Sequence, residues 1–344
     1  MTQFKNLVFK GGGVRGLAYI GAAAALEDKG LIAGVRRTCG TSSGAVVAAH
    51  LALGGQAWQL AEIMTSRFLG GLLDGSVWPV RNLQRLIRDF GWFHGKHLSV
   101  WMKRHVEYLS GVSNLTFAGL ERLQAESPRR FKQLTVIATN VTLQCPQVYS
   151  SQETPDMPVW EALRASMSIP LLFAALRDES GDIFVDGALT WNYPITYYDD
   201  FKWLSLPTDP SLYSVLNHPS DRFRRCLYNK ETLGLMAETR GDRSGRCLRE
   251  AGSPEKIGSF ATYLRAMLGL MTDNATSPYL NLPDWQRTVF IEAHGVRATD
   301  FSLSDSKIAG LIDSGRQAAL DYLDWFENPE NTPLNRIESI PGVD

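Results

Sequence analysis

Residues 40–44 read GTSSG, a serine flanked at two positions on either side by glycine. Gly40, Thr41, Ser42, Ser43 and Gly44 fit the pattern G-x-S-x-G with Ser42 at its centre. A nucleophilic serine must project from a tight strand-to-helix turn, and the two glycines remove side chains that would collide there. The helix that follows turns its positive N-terminal end and free backbone N–H groups towards an oxyanion formed at that serine. Ser43 is a rival nucleophile, but it falls one residue into the helix and lacks the symmetric glycines. Taken alone, the same five residues also suit an ordinary Gly/Ser turn. A short strand before them and an alanine-rich helix after them favour the nucleophile.

A second glycine-rich turn, GGGVRG at residues 11–16, follows the first strand. If the two strands lie side by side, the backbone N–H groups of Gly12 and Gly13 face Ser42, where an oxyanion hole would stand. Arg15 would brace this loop or meet a phosphate as a planar fork. Gly11, Gly13 and Gly16 also satisfy G-x-G-x-x-G, the dinucleotide fingerprint. That reading wants an acidic residue about 20 positions on. The second strand carries Arg36 and Arg37 there, so only an NADP-binding variant stays open.

A serine nucleophile needs a proton acceptor, and the chain has six histidines. His50 sits eight positions beyond Ser42 on the same helix, about 12 Å along its axis and out of reach. His94, His97 and His105 fall where no strand end would hold them. Asp186 ends the apolar run IFV and precedes Gly187 and Ala188. A carboxylate at the C-terminal end of a strand is well placed at the active edge of an open α/β sheet, although Asp-Gly also makes simple β-turns. With His218 or His294 it would complete the order Ser…Asp…His of α/β-hydrolases.

These residues need rigid elements behind them. The pattern predicts strands at 6–10, 35–39, 133–139, 182–186 and 287–293, with a weaker one at 146–150. Helices are expected at 14–28, 43–53, 158–165 and 304–326, and a mostly helical stretch at 55–125. Strands alternating with helices imply an α/β domain with a largely parallel sheet. Residues 203–284 are polar, rich in Arg and Gly and poorly patterned, so they read as an insertion or cap. The organisation expected is therefore a core at 1–202, this insertion, a closing strand and helix at 285–330, and a tail at 331–344.

The 344 residues carry a formal net charge of −1, which offers no field to draw nucleic acid. The four cysteines are scattered without a CxxC pair, as in a reduced, cytosolic-type protein without a zinc site. No signal peptide or membrane-spanning run is visible, which predicts a cytoplasmic protein able to work at a membrane surface. Trp78, Trp92, Phe93 and Trp101 lie among Arg81, Arg85, Arg88, Lys96, Lys103 and Arg104. Interleaved aromatics and cations suit a lipid interface, and a buried core would account for the aromatics equally well.

Taken together and in this order, G11-G-G-V-R-G16, G40-T-S-S-G44 and D186-G-A188 resemble the patatin-like phospholipase family. The stretches ALRASMSIP (162–170) and DGALTWNYP (186–194) are similar too. The resemblance covers residues 6–194 and implies a three-layer α/β/α domain acting as a lipid acyl hydrolase. It implies Ser42 as nucleophile, Asp186 as base without a histidine, the 11–16 loop as oxyanion hole, and no metal or organic cofactor. The implied partner is a lipid, in the first place a phospholipid at a membrane surface. Lys10 stands where many relatives have aspartate, and Ser43 where alanine is common; Ser43 reads as incidental. A histidine-using esterase and a lipid-sensing module without turnover are the competing readings.

Overall fold

The structure is a computed structural model that describes residues 3–74, 79–218, 221–239 and 282–337. The chain opens with β1 (Asn6–Phe9), α1 (Ala18–Asp28), β2 (Arg37–Thr41) and α2 (Ser43–Ala52). Then come α3 (Ala57–Ile63), α4 (Ser66–Gly71), α5 (Pro79–Arg88), β3 (Gly91–Phe93), α6 (Lys96–Ser110) and α7 (Phe117–Glu126). The middle holds β4 (Gln133–Asn140), β5 (Cys145–Tyr149), α8 (Val159–Ser166), β6 (Leu171–Phe173), β7 (Leu176–Arg177) and β8 (Ile183–Asp186). Last are β9 (Tyr213–His218), β10 (Asp221–Asn229), β11 (Thr232–Glu238), α9 (Leu282–Gln286), β12 (Thr288–Glu292) and α10 (Asp305–Glu327).

The central sheet runs β12-β11-β1-β2-β4-β8-β7, with β5 also paired to β4. Its strands from β12 to β4 are parallel; β5, β7 and β8 are antiparallel additions. Alternate residues of the strands divide the core. Leu7, Phe9, Leu233, Leu235, Val289 and Ile291 join the cluster made with α1, α2 and α10. Val8, Cys39, Ile137 and Met236 point the other way, onto Tyr193, Ile195, Tyr198 and Trp203. Among the described residues this second face is covered by turns and a short 3-10 segment, Phe201–Trp203.

Two expectations require correction. Residues 203–284 are not an insertion throughout, because Thr232–Glu238 lies within the central sheet between β1 and β12. All seven residues of β11 are buried, as a strand packed on both faces requires. Thr232, Gly234 and Glu238 break up its apolar signal, and Gly234 must be small because a Cβ there would meet the Tyr193 hydroxyl. Residues 240–281 of that stretch lie outside the described residues. The second strand runs 37–41 and not 35–39, since Arg37–Thr41 pairs with Gln133–Ile137. It therefore delivers the chain directly to Ser42 with no intervening loop.

Candidate active site

Ser42 occupies a conformation (φ 54°, ψ −127°) that non-glycine residues rarely adopt. It is the single hinge between β2 and α2, and its side chain is held away from both. Gly40 and Gly44 make the hinge possible. A Cβ on Gly40 would lie 2.4 Å from the Gly44 carbonyl oxygen, and one on Gly44 would lie 2.6 Å from the carbonyl oxygens of Phe9 and Lys10. The Ser42 N–H donates to Ser166 Oγ at 2.8 Å, and Ser166 Oγ donates to the Ile137 carbonyl at 2.6 Å. Ser166 thus ties the hinge to β4. It lies inside the ALRASMSIP stretch, but the spacing of residues assigned it no role.

Asp186 reaches the same place from the opposite direction. β4 pairs with β5 along one edge, through Val136–Asn140. On its other edge it pairs first with β2, ending at Thr41↔Ile137, and then with β8, starting at Asp186↔Ala138. The two strands run head to head along one edge of β4, and their ends meet between consecutive residues. Ser42 Oγ consequently donates to Asp186 Oδ2 at 2.6 Å, in the range of hydrogen bonds to a charged acceptor. Asp186 Oδ1 accepts from the Ala188 N–H at 2.8 Å. Asp186 ends its strand, and that strand, β8, is one of the antiparallel members of the largely parallel sheet.

Both side chains are buried, at 2% exposure each. Burial pushes the Asp186 carboxyl up to about 7, and the hydrogen bonds from Ser42 and Ala188 pull the other way. Among the described residues no histidine hydrogen-bonds to either group. His50 pairs with His105 and with the Gln56 carbonyl, His294 is exposed on a turn, and the His218 side chain lies outside the described residues. Nor do three His, Cys, Asp or Glu side chains gather into a metal-binding group among the described residues.

The 11–16 loop lies against Ser42 and the start of α2. The Gly11 N–H donates to the Asn192 carbonyl at 3.0 Å, and the Val14 N–H to the Ala298 carbonyl at 3.0 Å. Between them, the Gly12 N–H donates to Ser43 Oγ at 3.3 Å, and the Gly13 N–H has no acceptor among the described residues. Gly13 has φ 55°, and a Cβ there would overlap the Ala298 carbonyl oxygen. Arg15 is buried, and its Nε donates to the Val296 carbonyl at 2.8 Å. It braces the loop against the 296–298 segment. Ser43 is not incidental: it packs on Gly16, where a Cβ would lie 2.5 Å from its Oγ, and it accepts the Gly12 N–H.

An apolar cavity of about 60 Å³ opens beside this loop, lined by Gly13, Ser43, Val46, Phe68, Trp101 and Met167 among others. Met167 Sδ lies 3.6 Å from Ser42 Oγ, which connects the cavity to the serine. Trp101 thereby belongs to the interior, stacked on His105 and tilted against Phe68. Phe93 packs on Phe173. Arg85 is buried and donates to the Trp92 carbonyl, whereas Arg88, Lys96, Lys103 and Arg104 are exposed. Trp78 and the Arg81 side chain lie outside the described residues. No described helix is long and apolar enough to cross a membrane.

The dinucleotide reading fails on geometry. Arg37 pairs with Asn6 at the beginning of β1 and β2, while the glycine turn follows their far ends. The two arginines cannot serve a ligand held by Gly11, Gly13 and Gly16.

The patatin-like phospholipase family model matches residues 7–199. Protein R571 of Acanthamoeba polyphaga mimivirus is 30% identical over 200 residues, 58% of this chain and 63% of that protein, so the match spans less than two thirds of this relative. Protein YqhO of Bacillus subtilis is 27% identical over 328 residues, 90% of this chain and 94% of that one. Among solved structures, VipD from Legionella pneumophila shares the fold with a TM-score of 0.57 at 18% identity, over 94% of this chain and 67% of VipD. The family match takes in both glycine turns, Ser42 and Asp186, and extends over more than half of the sequence; the chain belongs to the patatin-like phospholipase family.

Proposed function

We propose that this protein hydrolyses carboxyl esters of glycerolipids through an acyl-enzyme on Ser42, with Asp186 as its base. The observation that carries the reading is the 2.6 Å bond from Ser42 Oγ to Asp186 Oδ2 on a serine held at positive φ. Asp186 takes the hydroxyl proton as Oγ attacks the ester carbonyl, and the oxyanion is received by the Gly13 N–H. The bond to the leaving alcohol then breaks, and that alcohol takes the proton from Asp186. A water gives its proton to Asp186 and attacks the acyl carbonyl. The fatty acid leaves as Ser42 regains its hydrogen.

The acyl chain lies in the apolar cavity that starts at Met167, and the head group stays on the solvent side. That arrangement suits a phospholipid or lysophospholipid presented by a membrane surface, and no step needs a metal or organic cofactor. A fluorophosphonate probe tests the reading, because it reacts with an activated serine only. Wild type, Ser43→Ala, His218→Ala and His294→Ala should be labelled at Ser42, and Ser42→Ala and Asp186→Asn should not. Labelling found on Ser43, or lost in a folded histidine variant, would overturn it.

A further inference from the structure

Arg36 and Arg37 take no part in this chemistry, since β2 starts at Arg37 and reaches Ser42 only beyond Thr41, about 13 Å further along the strand. At this opposite end the first residues of β1, β2 and β4 (Asn6, Arg37 and Gln133) stand in register. Beside them lies a cavity of about 540 Å³. Among the described residues its wall carries Lys5, Arg36, Arg37 and Arg129, the carboxamides Gln124 and Gln133, and no carboxylate.

Arg37 is held firmly, and only by neutral acceptors. Its Nε donates to Gln133 Oε1 at 3.2 Å, and its Nη1 to Asn6 Oδ1 at 3.0 Å and to the Trp203 carbonyl at 2.7 Å. Its guanidinium lies over the Trp203 ring at 5.2 Å. Burial pushes its pKa down, Tyr198 and Glu231 offset part of this, and Arg36 adds to it. Among the described residues Arg36, Arg37 and Arg129 form no ion pair. Three guanidinium groups around one concave space repel one another, and an anion in their midst relieves that repulsion. Guanidinium forks match phosphate oxygens in pairs, and the two carboxamides add further donors. The volume suits a small-molecule ligand.

We propose that this cavity, at the end of the sheet remote from Ser42, binds a multiply charged phosphate group. The group would come either from a free phosphorylated molecule or from the head of a phosphomonoester lipid. The proposal does not depend on Ser42 being a nucleophile, and Ser42→Ala should leave the binding unchanged.

Calorimetric titration of the full chain with tripolyphosphate at physiological salt should show saturable one-site binding. Arg36→Gln/Arg129→Gln, two exposed positions, should weaken it by about tenfold or more. Lys29→Gln/Arg122→Gln, also exposed and away from the cavity wall, should bind like wild type. Flotation with phosphatidylcholine vesicles carrying phosphatidic acid, against vesicles of equal charge carrying phosphatidylserine, separates the two sources. Retention on phosphatidic acid alone, lost in the arginine variant, assigns a lipid head; tripolyphosphate binding without retention assigns a free anion. The proposal is overturned by absence of saturable tripolyphosphate binding, or by equal loss in both pairs of variants, or by loss in neither.

Discussion

Replacing Asp186 by asparagine should abolish hydrolysis and at the same time stabilise the fold, by an amount that grows as pH rises from about 4 to 7 and is constant above. The folded protein holds this carboxyl at about 7, against 3.8 for the free side chain. Between those values the folded state binds a proton that the unfolded chain releases, so wild-type stability falls as pH rises through the window and levels off above it. Three units correspond to about 4 kcal/mol of strain from a buried charge at pH 8. The asparagine Oδ1 still accepts the Ala188 N–H, and the amide still touches Ser42 Oγ, but no charge is buried. Near pH 4 the two proteins should melt together. At pH 8 the variant should melt about 5 °C higher, taking roughly 2 cal/mol/K of unfolding entropy per residue. Thermal unfolding followed by circular dichroism across this range measures the gap. A gap that does not vary with pH, or a variant less stable than wild type at pH 8, would refute the argument that Asp186 is a desolvated carboxylate. An active Asp186→Asn enzyme would remove the dyad. Because the carboxyl titrates near 7, where a histidine also titrates, the midpoint of a pH–rate profile does not separate the two bases. The variants do.

Ser43→Ala removes the acceptor of the Gly12 N–H, and loss of a neutral hydrogen bond of about 1 kcal/mol should lower kcat roughly fivefold with Ser42 still labelled; an unchanged kcat would make Ser43 dispensable. Val46→Phe narrows the apolar cavity and should shift preference from long to short acyl esters by about tenfold; an unchanged ratio of palmitate to butyrate ester rates would place the acyl chain elsewhere. His50 Nε2 faces the Gln56 carbonyl and so carries its proton, which leaves its Nδ1 to accept from His105 Nε2. Burial pushes His105 down to about 3. Below about 6.5 the unfolded chain gains a proton that the fold excludes, so this pair should cost stability as pH falls, by about 1.4 kcal/mol per unit. His105→Gln should flatten that acid limb, and the same slope in both proteins would count against the neutral pair.

The three glycine turns were legible in the sequence because a short spacing of small residues marks each one, although the atoms that hold Gly13 and Gly187 small belong to Ala298 and Ile137, far along the chain. Gly40 and Gly44 are dictated by backbone atoms a few residues or one strand away, and such contacts leave a short motif. The strands at β1, β4 and β8 were legible for the same reason, as apolar runs bounded by turns. What no local pattern contains is how distant segments pair. That β8 runs antiparallel and meets β2 end to end on one edge of β4 depends on hydrogen bonds between residues far apart in the chain. That meeting, and not the aspartate's own surroundings, brings Asp186 to Ser42. β11 was hidden because its burial comes from neighbours on both sides and not from its own alternation. The aromatic residues Phe93 and Trp101 turned inward for a like reason: composition names a residue's affinity for apolar surroundings, and only the packed chain decides whether those surroundings are lipid or protein.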